Sequence, residues 1–270
     1  MTLDKVARDG LVLLGCGKMG TALLTGWLSA GLPPSSVWVL EPNPTDWLKS
    51  TGVHLNEDLP KAPAVALVAV KPQMMGAALP ALQALGNGPT LFVSIAAGTS
   101  IAAFEAALGA ETPIVRTMPN TPAMVGRGIT GICANTHAGA EGLALARTLM
   151  QAVGEVVGLE GEHQIDAVTA VSGSGPAYVF HLIEAMAAAG EAEGLSPEVA
   201  MKLARATVCG AGELAFRAPE SAAQLRINVT SPGGTTFAAL QHLMDPDTGL
   251  PPLMRRAVHA AAERGKELGK

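Results

Sequence analysis

The segment Gly15-Cys16-Gly17-Lys18-Met19-Gly20 sets three glycines at G-x-G-x-x-G spacing between an apolar run, Leu11–Leu14, and a helix-like stretch, Met19–Ala30. In that context Gly15 permits a tight turn, Gly17 lets a pyrophosphate reach the backbone, and Gly20 lets the helix approach the strand. The helix start, with Cys16, Lys18 and Met19 around it, offers free N–H groups and a positive dipole to an anion. Glu41 ends the second apolar run, Val37–Leu40, about 20 residues past the last glycine. An acid there accepts from an adenosine ribose 2′-hydroxyl and repels a 2′-phosphate, which favours NAD(H) over NADP(H). Two alternatives stay open: Glu41 turns to water, or Asn43, Thr45 and Lys49 reach a phosphate in its place.

Two further strand ends face the same ligand if the strands are parallel. One is Val70-Lys71-Pro72, the other Ala96-Ala97-Gly98, where small residues let backbone pack on a dinucleotide. Lys71 is otherwise a solvated lysine, and Ala96–Gly98 otherwise a turn into a helix capped by Thr99 or Ser100. Asn228-Val229-Thr230-Ser231-Pro232-Gly233-Gly234-Thr235-Thr236 reads as a helix start capped by Ser231, opened by Pro232 and carrying both glycines in its first turn. Glycine is a poor helix residue, so bare N–H groups beside two hydroxyls suggest a carboxylate site; close packing is the plain alternative. Ser172-Gly173-Ser174-Gly175-Pro176 is a second glycine-loosened helix entry, or a tight interhelical turn. No Ser-His-Asp order, H-E-x-x-H or C-x-x-C occurs, and the histidines are scattered. No metal site is expected. Hydride transfer to an already protonated cyclic imine suits a site so poor in acid–base groups.

These residues need strands and helices to hold them. Apolar runs Leu11–Leu14, Val37–Leu40, Ala64–Val70, Leu91–Ile95, Ile114–Arg116, Thr130–Ala134 and Glu155–Gly158 alternate with helical stretches Met19–Ala30, Gly76–Leu85, Ile101–Leu108 and Ala140–Val153. Strand, helix, strand at this spacing predicts a Rossmann-like α/β domain over residues 1–160, its sheet mostly parallel and buried on both faces. Residues 161–270 read as helices only: Ile165–Val171, Pro176–Glu193, Pro197–Phe216, Pro219–Ile227, Pro232–Met244 and Pro251–Leu268. The polar stretch 159–164 marks the boundary. From Pro176 to Gly190 the only strongly polar side chains are His181 and Glu184. A helix apolar nearly all round must be covered, which favours a subunit interface over a monomeric core.

Composition agrees. Of 270 residues 49% are hydrophobic and 15% charged, too apolar for a disordered chain, and glycine is frequent at 31 residues. A net charge of −5 argues against nucleic acid. No apolar stretch is long enough for a membrane helix, and the first ten residues lack a signal-peptide pattern. Cys16, Cys133 and Cys209 form no disulfide framework, which points to a cytoplasmic protein.

The motifs resemble those of the pyrroline-5-carboxylate reductase family over nearly the whole chain. The likeness rests on Gly15–Gly20, Val70-Lys71-Pro72-Gln73, Ser94-Ile95-Ala96-Ala97-Gly98, and Arg116-Thr117-Met118-Pro119-Asn120-Thr121-Pro122. It continues through Asp166-Ala167-Val168-Thr169, Ser172-Gly173-Ser174-Gly175-Pro176-Ala177-Tyr178 and Val229–Thr236. The resemblance implies hydride transfer from NADPH or NADH to the C=N bond of 1-pyrroline-5-carboxylate, giving L-proline, the last step of proline biosynthesis. It implies that Ser231, Gly233, Gly234 and Thr235 hold the substrate carboxylate with Asn228 nearby. Thr236 would then lie near the ring nitrogen as the catalytic contact, with Thr169 and Ser174 lining the same pocket. Asn56 matches a residue used on the adenosine side; its local alternative is a helix cap over Glu57–Lys61. The all-α domain would bind substrate and intertwine with its twin, completing the active site across a homodimer that could assemble into a larger ring. Many members carry hydroxyl or basic residues where Glu41 stands and prefer NADPH. Two other readings are a related β-hydroxyacid dehydrogenase or imine reductase and a non-catalytic NAD(P)-binding regulatory protein. The first needs a lysine on the first helix of the helical domain, yet none occurs between Lys71 and Lys202. The second has no use for a carboxylate segment.

Overall fold

The computed structural model describes residues 3–269. Its first region is one eight-stranded sheet in the order β3-β2-β1-β4-β5-β6-β7-β8. After a short helix α1 (Asp4–Asp9), the chain runs β1 (Leu11–Leu14), α2 (Lys18–Ser29), β2 (Val37–Leu40), α3 (Asp46–Ser50), β3 (His54–Leu55) and β4 (Val65–Val68). Then follow α4 (Met75–Ala78), β5 (Leu91–Ser94), α5 (Ile101–Leu108), β6 (Ile114–Met118), β7 (Gly128–Ala134), α6 (Gly139–Gln151) and β8 (Gly154–Gly158). From β3 to β6 every neighbouring pair is parallel. β7 runs antiparallel to β6, because the link 119–127 is too short for the crossover that a parallel return requires. α6 supplies such a crossover, and β8 is parallel to β7.

The apolar strands β1, β4 and β5 are buried on both faces, as their sequences predict, whereas β2 buries Val37 and Val39 and leaves Trp38 and Leu40 half-buried. Leu11 and Leu13 point into one layer with Leu23, Leu24 and Trp27 of α2 and Leu149 of α6. Val12 and Leu14 point into the other with Phe104 and Leu108 of α5. The Trp27 indole Nε1–H donates to the buried carbonyl of Leu149 (2.9 Å) and ties the two helices together.

Several expected elements differ. Gly76–Leu85 is not one helix: α4 gives way to a 3₁₀ stretch, Leu79–Leu85, because Pro80 has no N–H for the α ladder. β4 stops at Val68, two residues before the expected end. β3 and α1 are too short for their periodicity to be read.

The later helices are α7 (Ile165–Val168), α8 (Gly175–Ala192), α9 (Pro197–Arg217), α10 (Ala222–Asn228), α11 (Thr235–Leu243) and α12 (Leu250–Leu268). Thr169–Gly173, between α7 and α8, is a π-helical turn. Pro176, second in α8, has no N–H to offer Ser172, and the widened turn absorbs that loss. Ser196 caps α9 by accepting from Val199 N–H at 3.4 Å. α10 starts three residues later than expected, capped by Ser221 accepting from Gln224 N–H at 3.2 Å.

The chain forms two compact units. One extends through Gly173 and takes in the chain from Ala261 onward; the other is Ser174–Ala260. The units part later than the polar stretch 159–164 because Ile165 and Ala170 are buried and a Cβ on Gly131 would meet Val168 at 2.9 Å. α7 is therefore packed on the sheet.

Candidate functional site

The glycine loop leaves β1 at its carboxyl end. Gly15 has φ +88°, and its N–H donates to the Leu40 carbonyl at 2.8 Å. A side chain at Gly20 would sit 2.7 Å from the Gly15 carbonyl oxygen, whereas one at Gly17 would meet nothing within 4 Å. The first and third glycines thus serve the turn and the close approach of α2, and the second leaves open space above exposed backbone. Gly17 is the residue that starts α2, with no side chain capping the N–H groups. A pyrophosphate fits this cradle in charge and shape.

Glu41 lies directly beside it. Its carboxylate accepts from Cys16 N–H at 2.8 Å and from Asn43 N–H at 3.0 Å. Asn56 caps no helix, since none forms over 57–61. Instead its amide pairs with the Glu41 backbone, accepting from Glu41 N–H and donating to Glu41 C=O, each at 2.9 Å. The residues that could replace Glu41 are otherwise engaged: the Thr45 hydroxyl caps α3 through Leu48 N–H at 3.2 Å, and Lys49 pairs with Asp46 at 3.0 Å. Burial raises the pKa of the Cys16 thiol, with Thr21 pulling it back and Glu41 adding to the rise.

Val70-Lys71-Pro72 follows β4 with Lys71 exposed at the head of a 3₁₀ turn. Ala96-Ala97-Gly98 follows β5; Ser94 Oγ accepts from Ala96 N–H at 3.2 Å, and Ser100 rather than Thr99 caps α5. These loops and the glycine loop all leave the same, carboxyl edge of parallel strands.

On the π-helical turn, the Thr169 hydroxyl donates to the Ile165 carbonyl at 2.8 Å. Ser174 precedes α8 as its cap residue without a capping side-chain bond. In the second unit, the reading of Ser231 as a helix cap fails. Ser231-Pro232-Gly233-Gly234 is a type II turn, with Pro232 second, Gly233 third at φ +69°, and Gly234 N–H donating to Ser231 C=O at 3.0 Å. α11 begins only at Thr235, with Gly234 as an uncapped start. The first N–H groups of α11 thus have no side-chain cap, beside the exposed Thr235 and half-buried Thr236. Asn228 ends α10, its side-chain oxygen taken by Gln224 at 2.8 Å.

Sequence reasoning missed Glu162. One of its carboxylate oxygens accepts from Arg116 Nη1 at 2.6 Å and from Ile101 N–H at 2.7 Å. A lone arginine inside the apolar strand Ile114–Met118 was the available signal for a buried partner. Among the described residues no group of three or more His, Cys, Asp or Glu is placed to hold a metal ion.

Residues 162–268 match the family model for pyrroline-5-carboxylate reductase dimerisation. Residues 11–98 match the model named NADP oxidoreductase coenzyme F420-dependent. A pyrroline-5-carboxylate reductase of Pseudomonas aeruginosa is 40% identical over 96% of this chain and 97% of its own. One of Synechocystis is 41% identical over 96% of this chain and 98% of its own. The chain belongs to the pyrroline-5-carboxylate reductase family. Among solved structures, the enzyme of Coxiella burnetii superposes with a TM-score of 0.89 at 36% identity, covering 97% of this chain and 99% of that one. The reductase of Plasmodium falciparum, solved with NADP bound, gives a TM-score of 0.83 at 29% identity over 98% of this chain and 99% of that one. The Rossmann-like sheet, the helical second region and the nicotinamide-cofactor chemistry of an oxidoreductase are those of this family. The two alternative readings, a hydroxyacid dehydrogenase and a cofactor-binding regulator, are not favoured.

Proposed function

We propose that this chain reduces the C=N bond of 1-pyrroline-5-carboxylate to give L-proline, and that it prefers NADH. The observation that carries the reduction is family membership along the full length, with the glycine cradle intact. When bound, the dinucleotide supplies a hydride from its nicotinamide ring. Gly15, Gly17 and Gly20, with Cys16, Lys18 and Met19, hold the pyrophosphate at the start of α2. Glu41 and Asn43, braced by Asn56, hold the adenosine ribose. Val70, Lys71, Pro72, Ala96, Ala97 and Gly98 flank the nicotinamide half.

Ser231, Gly233, Gly234 and Thr235 present N–H and hydroxyl groups to the substrate carboxylate, with Asn228 at the segment's edge. Thr236 orients the ring nitrogen, and Thr169 and Ser174 line the pocket. The imine carbon is electrophilic once its nitrogen is protonated. Hydride addition to the protonated imine gives the neutral amine, so this step asks no side chain for a proton.

Support for NADH comes from Glu41. Its carboxylate spans Cys16 and Asn43 N–H groups, so a 2′-phosphate would enter beside an anion already seated there. Side-by-side assays with NADH and NADPH test both statements. Oxidation of either cofactor only when substrate is present establishes the reaction. A higher kcat/KM with NADPH would refute the Glu41 argument alone.

The division of labour follows the two regions: residues 1–160 bind the dinucleotide, and residues 161–270 bind substrate and dimerise. The protein acts as a homodimer in the cytoplasm, and dimers close into a larger ring. No helix among the described residues is long and apolar enough to cross a membrane. Sedimentation of the purified protein measures the oligomer.

A further inference from the structure

We propose that Glu162 is a positioning residue for hydride transfer, acting through the loops that flank the nicotinamide half; the proposal rests on the reading above. One oxygen atom, Glu162 Oε1, holds three segments. It accepts from Ile101 N–H at 2.7 Å, the first residue of α5, three residues after Gly98. It accepts from Arg116 Nη1 at 2.6 Å, on β6, which ends at Met118 and leads into Pro119 and Asn120. Its own backbone leads within a few residues into α7 and then Thr169.

Glu162 is the ion-pair partner of Arg116, at 2.6 Å. The arginine side chain is 7% exposed, and among the described residues its Nε is buried without a hydrogen-bond partner. A largely buried guanidinium follows the carboxylate that holds it, and removing that carboxylate leaves a buried cation without its ion pair. Because the Ile101 N–H is one of the free donors at the head of α5, the same carboxylate also pins where that helix starts. Among the described residues these hydrogen bonds join no atom of the β1 and β2 loops, which carry the pyrophosphate and adenosine contacts. Loss of Glu162 thus disturbs one half of the cofactor site and spares the other.

The test is Glu162→Gln, which keeps size and an acceptor for Ile101 but removes the charge opposite Arg116. Two readouts are taken on the full-length protein. The first is kcat, which falls ten- to hundredfold, since a displacement of about 1 Å at reacting atoms costs on the order of 100-fold. The second is titration with NADH alone, followed by its own fluorescence, which needs no turnover. The dissociation constant stays within about twofold of wild type, while the fluorescence of the bound nicotinamide changes. If Glu162→Gln does not fold, Glu162→Asp, too short to reach both partners, gives the same pattern. Unchanged kcat and bound-NADH fluorescence in a folded variant overturn the proposal. So does a loss of kcat matched by an equal loss of NADH affinity. A wild-type protein that binds NADH but never reduces substrate overturns the proposed function instead, and the fluorescence comparison still decides whether Glu162 sets the nicotinamide environment.

Discussion

The sheet region and the helical region solve the burial problem in different ways. The strands of the first region bury Leu11, Val12, Leu13, Leu67 and Val93 completely, and its two layers close over both faces of the sheet. In the second region the buried cluster is only Ala187, Ala200 and Ala204, with Ile183 against it. Its large apolar side chains, among them Val179, Phe180, Leu182, Met186 and Leu203, stand exposed on the single chain. A soluble monomer rarely leaves so much contiguous apolar surface in water. A region with such faces derives its stability from a second copy, so its folding depends on protein concentration, whereas the sheet region carries its own core.

Breaking the interface is the most damaging change. Phe180 is 61% exposed, so Phe180→Glu costs the isolated chain little, yet at the centre of an interface it costs about 2–4 kcal/mol or more. Sedimentation shows monomers at micromolar concentration, and kcat/KM falls more than about 100-fold. NADH binding to the sheet region persists. A variant that remains dimeric and active would show that this face is not the interface.

A core change in the sheet region has the opposite signature. Leu67→Ala, at a fully buried position of β4, lowers the unfolding free energy by about 2–5 kcal/mol in urea. The loss does not depend on protein concentration in the transition that reports the sheet. Trp27→Phe is gentler. It leaves the Leu149 carbonyl without its indole donor and costs about 1–3 kcal/mol in the same titration. If either variant's midpoint shifted with protein concentration as that of the helical region does, the contrast between the two regions would collapse.

The contrast also explains what the sequence makes legible. A strand buried on both faces is a run of apolar residues, so β1, β5 and the glycine loop after β1 are read directly. The helical region announces itself by Ser-Pro starts, and Ser196 is indeed a cap. The same rule fails at Ser231-Pro232, because Gly233 diverts the chain through a type II turn before α11 can begin. Pattern rules see neighbours only, and here a second local rule overrode the first. The two-residue strand β3 is likewise an outcome of packing, not periodicity. Glu162 shows the limit most clearly. Its partners lie 46 and 61 positions away, and nothing in a polar stretch between domains announces an ion pair with a buried strand arginine. Asn56 could be matched to its family role, but its hold on the Glu41 backbone needs the fold.

The smallest expected effect separates the regions by pH. The Cys133 thiol on β7 is pushed up to about 11, chiefly by burial and then by the Glu162 carboxylate, with Arg116 opposing. A folded-state pKa raised above the unfolded value gives stability that is complete below the unfolded pKa and is lost as pH rises towards the folded one. The loss therefore begins near the ordinary thiol pKa of about 8.5 and runs up to about 11. Between pH 8 and about 9.3 the sheet region of wild type should lose about 1 kcal/mol that Cys133→Ala does not lose, at 1.36 kcal/mol per unit. Comparing the two proteins by urea unfolding at each pH cancels the titration of lysines and the tyrosine common to both. Equal pH dependence in wild type and Cys133→Ala would mean that the thiol is reached by water, and that the sheet around β7 is less tightly closed than its burial implies.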